Sequence, residues 1–120
     1  MRKTSGHYIG KYLKRRGIDA LFGLSGGHVY PIMDGCVENE IRFIDTRHEQ
    51  AAAFAAEGYA LRSGKPGAYT VTAGPGFANA VSGLAQASVT LSPTICLAGD
   101  VGVQEEDKGA PQEVEQEGVA

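Results

Sequence analysis

The chain reads as an α/β protein: a parallel sheet of at least four strands with helices on both faces. Three observations predict this. Helical and strand-like patterns alternate four times along 120 residues. The strand candidates are short, almost continuous apolar runs, as expected where a sheet is covered on both sides. The connections are short and rich in glycine, which favours right-handed crossovers between neighbouring parallel strands.

The elements follow in order. Thr4 is placed to cap a first helix reaching about Arg16, with Tyr8, Ile9, Tyr12 and Leu13 forming its apolar stripe at three- and four-residue spacing. Lys14-Arg15-Arg16 suits the negative end of that helix, and Gly17 suits a left-handed stop. Ala20 to Leu24 is the first strand, broken by Ser25-Gly26-Gly27. A second helix is expected from about His28 to Val37, with Pro31 in its opening turn, where a missing N–H costs little. Ile41 to Ile44 forms the second strand.

The strongest helical pattern runs from His48 to about Ser63. It is rich in alanine and stopped by Gly64 and Pro66. Ala68 to Thr72 is the third strand, broken by Gly74-Pro75-Gly76. A fourth helix, about Ala78 to Val89, and a fourth strand, Thr94 to Ala98, complete a core over residues 1–99. Residues 100–120 read as an acidic tail of the same domain, with loops and at most one frayed helix.

Composition narrows the function classes. The length suits one compact domain. Residues 1–99 hold ten Lys/Arg against seven Asp/Glu, whereas residues 100–120 set Lys108 against seven acids. That mild, scattered positive charge does not fit a nucleic-acid surface. No apolar run approaches the ~18 residues of a membrane span. Cys36 and Cys96 lack metal-ligand or C-x-x-C spacing, and with no secretory leader they read as reduced thiols of a cytoplasmic protein.

In parallel sheets ligands bind beyond the carboxyl ends of the strands. Three loops should meet there: Ser25-Gly26-Gly27, Thr46 to Glu49, and Gly74-Pro75-Gly76. Each has a plain reading and a functional one. Thr46-x-x-Glu49 fits a capping box, in which the two side chains satisfy each other's backbone N–H groups. The other reading of Glu49 is a carboxylate held at the ligand edge of the sheet, in a cleft walled by alanines and Phe54. Gly74-Pro75-Gly76 does not extend into a dinucleotide fingerprint, because Asn79 stands where a third glycine belongs. Asn79 is placed to aim an amide at the same edge. His28 and His48 lack a second ligand at metal spacing, so no metal site is expected. Ser25, His28 and Glu49 lack the G-x-S-x-G elbow of a hydrolase.

Taken together, four segments resemble one family. They are Phe22-Gly23-Leu24-Ser25-Gly26-Gly27, then Arg47-His48-Glu49-Gln50-Ala51-Ala52, then Ala56-Glu57-Gly58-Tyr59-Ala60, and last Thr72-Ala73-Gly74-Pro75-Gly76 with Asn79. Their order and spacing are similar to the N-terminal pyrimidine-binding (PYR) domain of thiamine diphosphate enzymes, in the branch of acetolactate synthase, oxalyl-CoA decarboxylase and benzaldehyde lyase. The similarity runs from about Thr4 to Gln116.

The resemblance implies a role for each loop. Glu49 would be the catalytic acid/base, bonded to N1′ of the cofactor's aminopyrimidine. Gly74, Pro75, Gly76 and Asn79 would line the cofactor pocket. Gly26, Gly27 and Gln112 would face the substrate, a 2-keto acid or related carbonyl compound. Pro111 and Asp100 depart from the Phe and Gln usual in acetolactate synthases.

The resemblance also implies what lies outside this chain. The diphosphate and Mg²⁺ would be held by a separate domain, so a homodimer or a partner chain carrying that domain is expected. The sheet would lack its last helix and strand. FAD, which some members carry, is not assigned. Two rival readings are a flavodoxin-like nucleotide-binding module, with phosphate at the helix that follows Gly76, and a truncated, non-catalytic fragment.

Overall fold

The computed structural model describes residues 3–120. Its order is α1 (Ser5–Arg15), β1 (Ala20–Gly23), a 3-10 turn (Gly27–Val29), α2 (Tyr30–Glu38), β2 (Arg42–Asp45), α3 (Glu49–Ser63), β3 (Gly67–Val71), α4 (Pro75–Thr90) and β4 (Thr94–Ala98). The four strands form one sheet in the order β2-β1-β3-β4, and every pair is parallel. The α/β architecture expected from the alternation is therefore present. Among the described residues no helix is long and apolar enough to cross a membrane.

Alternation along each strand sends side chains to two cores. Leu21 and Ala68 face one side and pack with Leu13 of α1, Ile18, Cys36 of α2 and Ile41. Ala20, Phe22, Tyr69 and Val71 face the other and pack with Ala52, Ala53 and Ala56 of α3 and with Phe77 and Ala80 of α4. Helices thus cover both faces.

The two helical layers reach close packing differently. Across α1 and α2, backbone meets backbone: a Cβ added at Gly35 would lie 2.0 Å from the Gly6 carbonyl oxygen, and one at Gly10 would lie 2.2 Å from that of Gly35. On the opposite face alanine gives α3 its close seat. A Cβ at Gly83 of α4 would lie 2.4 Å from the Ala53 methyl, and one at Gly67 would lie 2.0 Å from the Ala56 carbonyl oxygen.

Boundaries shift by a few residues from the sequence expectation, each for a local reason. The Gly27–Val29 turn precedes α2, so the helix proper begins at Tyr30 with Pro31 in its first turn. Helix α4 begins at Pro75, three residues earlier than expected, because proline's fixed φ suits the first helical position. The expected capping box does not form. His48 is the N-cap of α3, and its Nδ1 accepts the Gln50 N–H at 3.1 Å. The Thr46 hydroxyl instead donates to the Gly23 and His48 carbonyls, both at 3.1 Å. The frayed helix considered for the tail is absent among the described residues, where turns run instead.

Candidate functional site

The strand order defines a crevice. From β1 the chain turns outward to β2, and from its neighbour β3 it turns the opposite way to β4. The loops after β1 and β3 therefore diverge, leaving a gap at their carboxyl ends where such sheets take ligands. Ser25-Gly26-Gly27 lies on one side of that gap and Gly74-Pro75-Gly76 on the other. Thr72 links them: a Cβ at Gly26 would lie 2.5 Å from that of Thr72, one at Gly76 would lie 2.7 Å from the Thr72 methyl, and His28 Nδ1 is 3.1 Å from the Thr72 hydroxyl. Gly27 has open space around it.

Glu49 enters the gap from the β2 side. It is the first residue of α3 and is 7% exposed. Freed from a capping role, its side chain reaches α4, where the Asn79 amide donates to Oε2 at 3.0 Å. Oε1 takes no hydrogen bond among the described residues. It lies 3.5 Å from where a Cβ of Gly76 would stand. A carboxylate in a helix's first turn gains from the helix dipole, which offsets part of the cost of burying it. The Gln50 amide donates to the Ser82 hydroxyl at 2.6 Å and fixes α3 against α4 beside it.

The turn after β3 is unusual. Gly74 has φ 60 and ψ −109, and as N-cap of α4 it has no side chain to satisfy the helix end. A Cβ there would lie 2.1 Å from the Gln112 carbonyl oxygen. Only glycine meets both demands. The structure thus gathers Glu49, Gly76 and Asn79 into one contact group, with Gly74 and Pro75 leading into it. Gly26 and Gly27 lie across the gap. Gln112 adjoins Gly74 through its backbone, and its side chain is exposed.

Two contributions were not legible beforehand. Thr72 opens the Thr72-Ala73-Gly74-Pro75-Gly76 segment, but nothing in the sequence says that its side chain joins the two loops. Gln116 read as part of an acidic tail, yet it is buried at 9% exposure. Its side chain accepts from Gly74 N at 2.9 Å and donates to the Gly99 carbonyl at 3.1 Å. No periodicity or motif marks Gln116. A depression of about 560 Å³ also lies within the tail, lined by Asp100, Glu106, Asp107, Glu113, Glu115 and Glu117 among others. That many carboxylates repel anions, so it is no place for a diphosphate.

A doubly covered parallel sheet with a buried carboxylate at its switch point defines a ligand-binding α/β domain. Comparison gives the family. Residues 3–119 match the family described as "Thiamine pyrophosphate enzyme, N-terminal TPP binding domain", and the chain belongs to it. A "Probable acetolactate synthase" of Mycobacterium bovis is 47% identical over 111 residues, 92% of this chain and 20% of that protein. "2-hydroxyacyl-CoA lyase 2" of Bos taurus is 39% identical over 114 residues, 95% of this chain and 18% of its own length. "Acetolactate synthase large subunit" of Lactococcus lactis is 41% identical, over 98% of this chain and 21% of its own. The chain spans about a fifth of the length of these relatives.

Proposed function

We propose that the chain provides the pyrimidine half of a thiamine diphosphate site in a C–C lyase, decarboxylase or carboligase acting on 2-keto acids or related carbonyl compounds. The observation that carries this reading is the divided environment of Glu49. Asn79 holds Oε2, while Oε1 takes no hydrogen bond among the described residues and lies beside a position that only glycine leaves open. That arrangement suits a flat heterocycle with a ring nitrogen that shares a proton. Names of relatives support the reaction class: acetolactate synthase and 2-hydroxyacyl-CoA lyase.

When bound, thiamine diphosphate supplies the electron sink for cleaving or forming the C–C bond. The chain's own residues would do the following. Glu49 holds or gives up a proton at Oε1 as general acid/base. Asn79 keeps the carboxylate in the rotamer that presents Oε1. Gly74, Pro75 and Gly76 let the backbone approach the ring closely. Gly26, Gly27 and Gln112 border the substrate side. Diphosphate and Mg²⁺ would be held by a separate domain, reached through a homodimer or a partner chain, in the cytoplasm.

The test is reconstitution with a domain that binds diphosphate and Mg²⁺, plus thiamine diphosphate. Glu49→Gln keeps the shape but cannot take up the proton, so 2-keto acid turnover should fall by about 10²–10⁴-fold. Unchanged turnover in that variant would refute the assignment.

A further inference from the structure

Gln116 is a buried amide, bonded through both its oxygen and its nitrogen, in a segment of turns whose other residues are mostly exposed. Its two bonds end at the crevice. Oε1 accepts the N–H of Gly74, the N-cap of α4, and Nε2 donates to the carbonyl of Gly99, just past β4. Four residues earlier the Gln112 carbonyl occupies the space that a side chain at position 74 would need. Gln112 itself adopts φ 69, which bends the tail back over the turn. Between these contacts Glu113 ties the strap to itself: its carboxylate accepts from Ala110 N at 2.9 Å and from Asp107 N.

We propose that residues 109–117 are a strap that sets the Gly74 turn, and that Gln116 is a positioning residue for the Glu49 site. The physical chain is short. Gly74 N needs an acceptor because the turn supplies none of its own, and an unmet buried N–H is costly. With Gln116 in place the turn is pinned, α4 starts at Pro75, and Asn79 stands one turn along at the height of the Glu49 carboxylate. Without it, the start of α4 frays and Asn79 loses its fixed reach. The role for Asn79 and Glu49 rests on the function proposed above; the pinning of the turn does not.

Two variants test this. Gln116→Met keeps length but removes both bonds. Gln116→Glu offers an acceptor to Gly74 but, when ionised, sets a carboxylate oxygen against the Gly99 carbonyl. Protonated, that acid restores the donor. Burial and the facing carbonyl raise its pKa above the usual carboxyl range. Its contribution is therefore present at low pH and lost as pH rises through the raised pKa. His28, whose Cβ lies near Gly99, and Asp100, Glu106, Asp107, Glu113, Glu115 and Glu117 of the tail are the neighbouring groups that titrate. Wild type measured at the same pH values corrects for them.

Amide hydrogen exchange on the chain should show protection at residues 74–78 reduced about tenfold in Gln116→Met. In Gln116→Glu it should be near wild type at about pH 5 and reduced at about pH 8. In the reconstituted assembly, thiamine diphosphate binding should weaken about tenfold in Gln116→Met. Wild-type protection at 74–78 in Gln116→Met overturns the strap. So does Gln116→Glu protection that is equal at both pH values, and so does a loss spread evenly over the sheet. Reduced protection with unchanged cofactor affinity leaves the strap standing and overturns its link to the Glu49 site.

Discussion

At the scale of single residues, Glu49 shows how a local pattern and a tertiary contact compete. Thr46-x-x-Glu49 has capping-box spacing, but the His48 ring reaches the Gln50 N–H first, which moves the helix start to Glu49 itself. The carboxylate is then left to Asn79, thirty residues away, a pairing that no local pattern encodes. Tyr69 is a second case. It is 1% exposed, and its hydroxyl has no partner with hydrogen-bond geometry among the described residues. Burial, then the nearby Cys96 thiol, pushes its phenol far above the usual range. Removing an unsatisfied buried hydroxyl while keeping the ring should be neutral or stabilising. Tyr69→Phe is expected to leave unfolding free energy unchanged or raised by up to about 1–2 kcal/mol; a loss of that size in urea denaturation would reveal a hidden partner. Cys36 is fully buried, and that burial pushes its thiol up to about 11.

At the scale of elements, the sequence revealed the type and order of every α-helix and strand because period and punctuation agreed at each, while the 3-10 turn before α2 went unread. It did not reveal how closely elements approach, since that depends on which small residues face each other in space. The α1–α2 crossing is the clearest instance, with Gly6, Gly10 and Gly35 touching backbone to backbone. A methyl at position 35 has no flexible neighbour to displace, only the Gly6 carbonyl. Gly35→Ala should therefore destabilise the fold by about 1–3 kcal/mol or more despite the gain in helix propensity. Thermal unfolding of the variant checks it, and an unchanged midpoint would mean that the helices separate freely. Helix α4 is likewise held at its far end: the buried Glu57 carboxylate accepts from the Thr90 and Ser92 hydroxyls at 2.7 and 3.0 Å. This secures the left-handed Leu91, with φ 55.

At the scale of the whole molecule, the site lies at the carboxyl ends of the strands, and a separate cluster ties the opposite end. Asp19, just before β1, accepts from the Tyr59 hydroxyl of α3 and from the Lys65 ammonium at 2.9 Å. The Tyr59 bond, then Lys65, lowers the Asp19 pKa. A lowered folded-state value means that stability is present above the unfolded carboxyl pKa and is lost as pH falls through the folded one. Asp19 is half exposed, so solvent screening limits the effect to about 1 kcal/mol or less. Asp19→Asn should thus be slightly less stable than wild type near neutral pH, and the two should converge in acid, as pH falls through the lowered Asp19 value. A gap that persists in acid would point to packing rather than charge.

The unequal construction of the two cores has a further consequence. The helix that carries Glu49 rests on methyl groups and a glycine, a layer already as thin as side chains permit. Any replacement there other than glycine adds bulk, lifting the carboxylate away from Gly76. A saturation screen scored by function should therefore be lopsided. Bulky aliphatic exchanges would be accepted around Leu13, Ile18 and Ile41, and almost none at Ala52, Ala53 and Ala56.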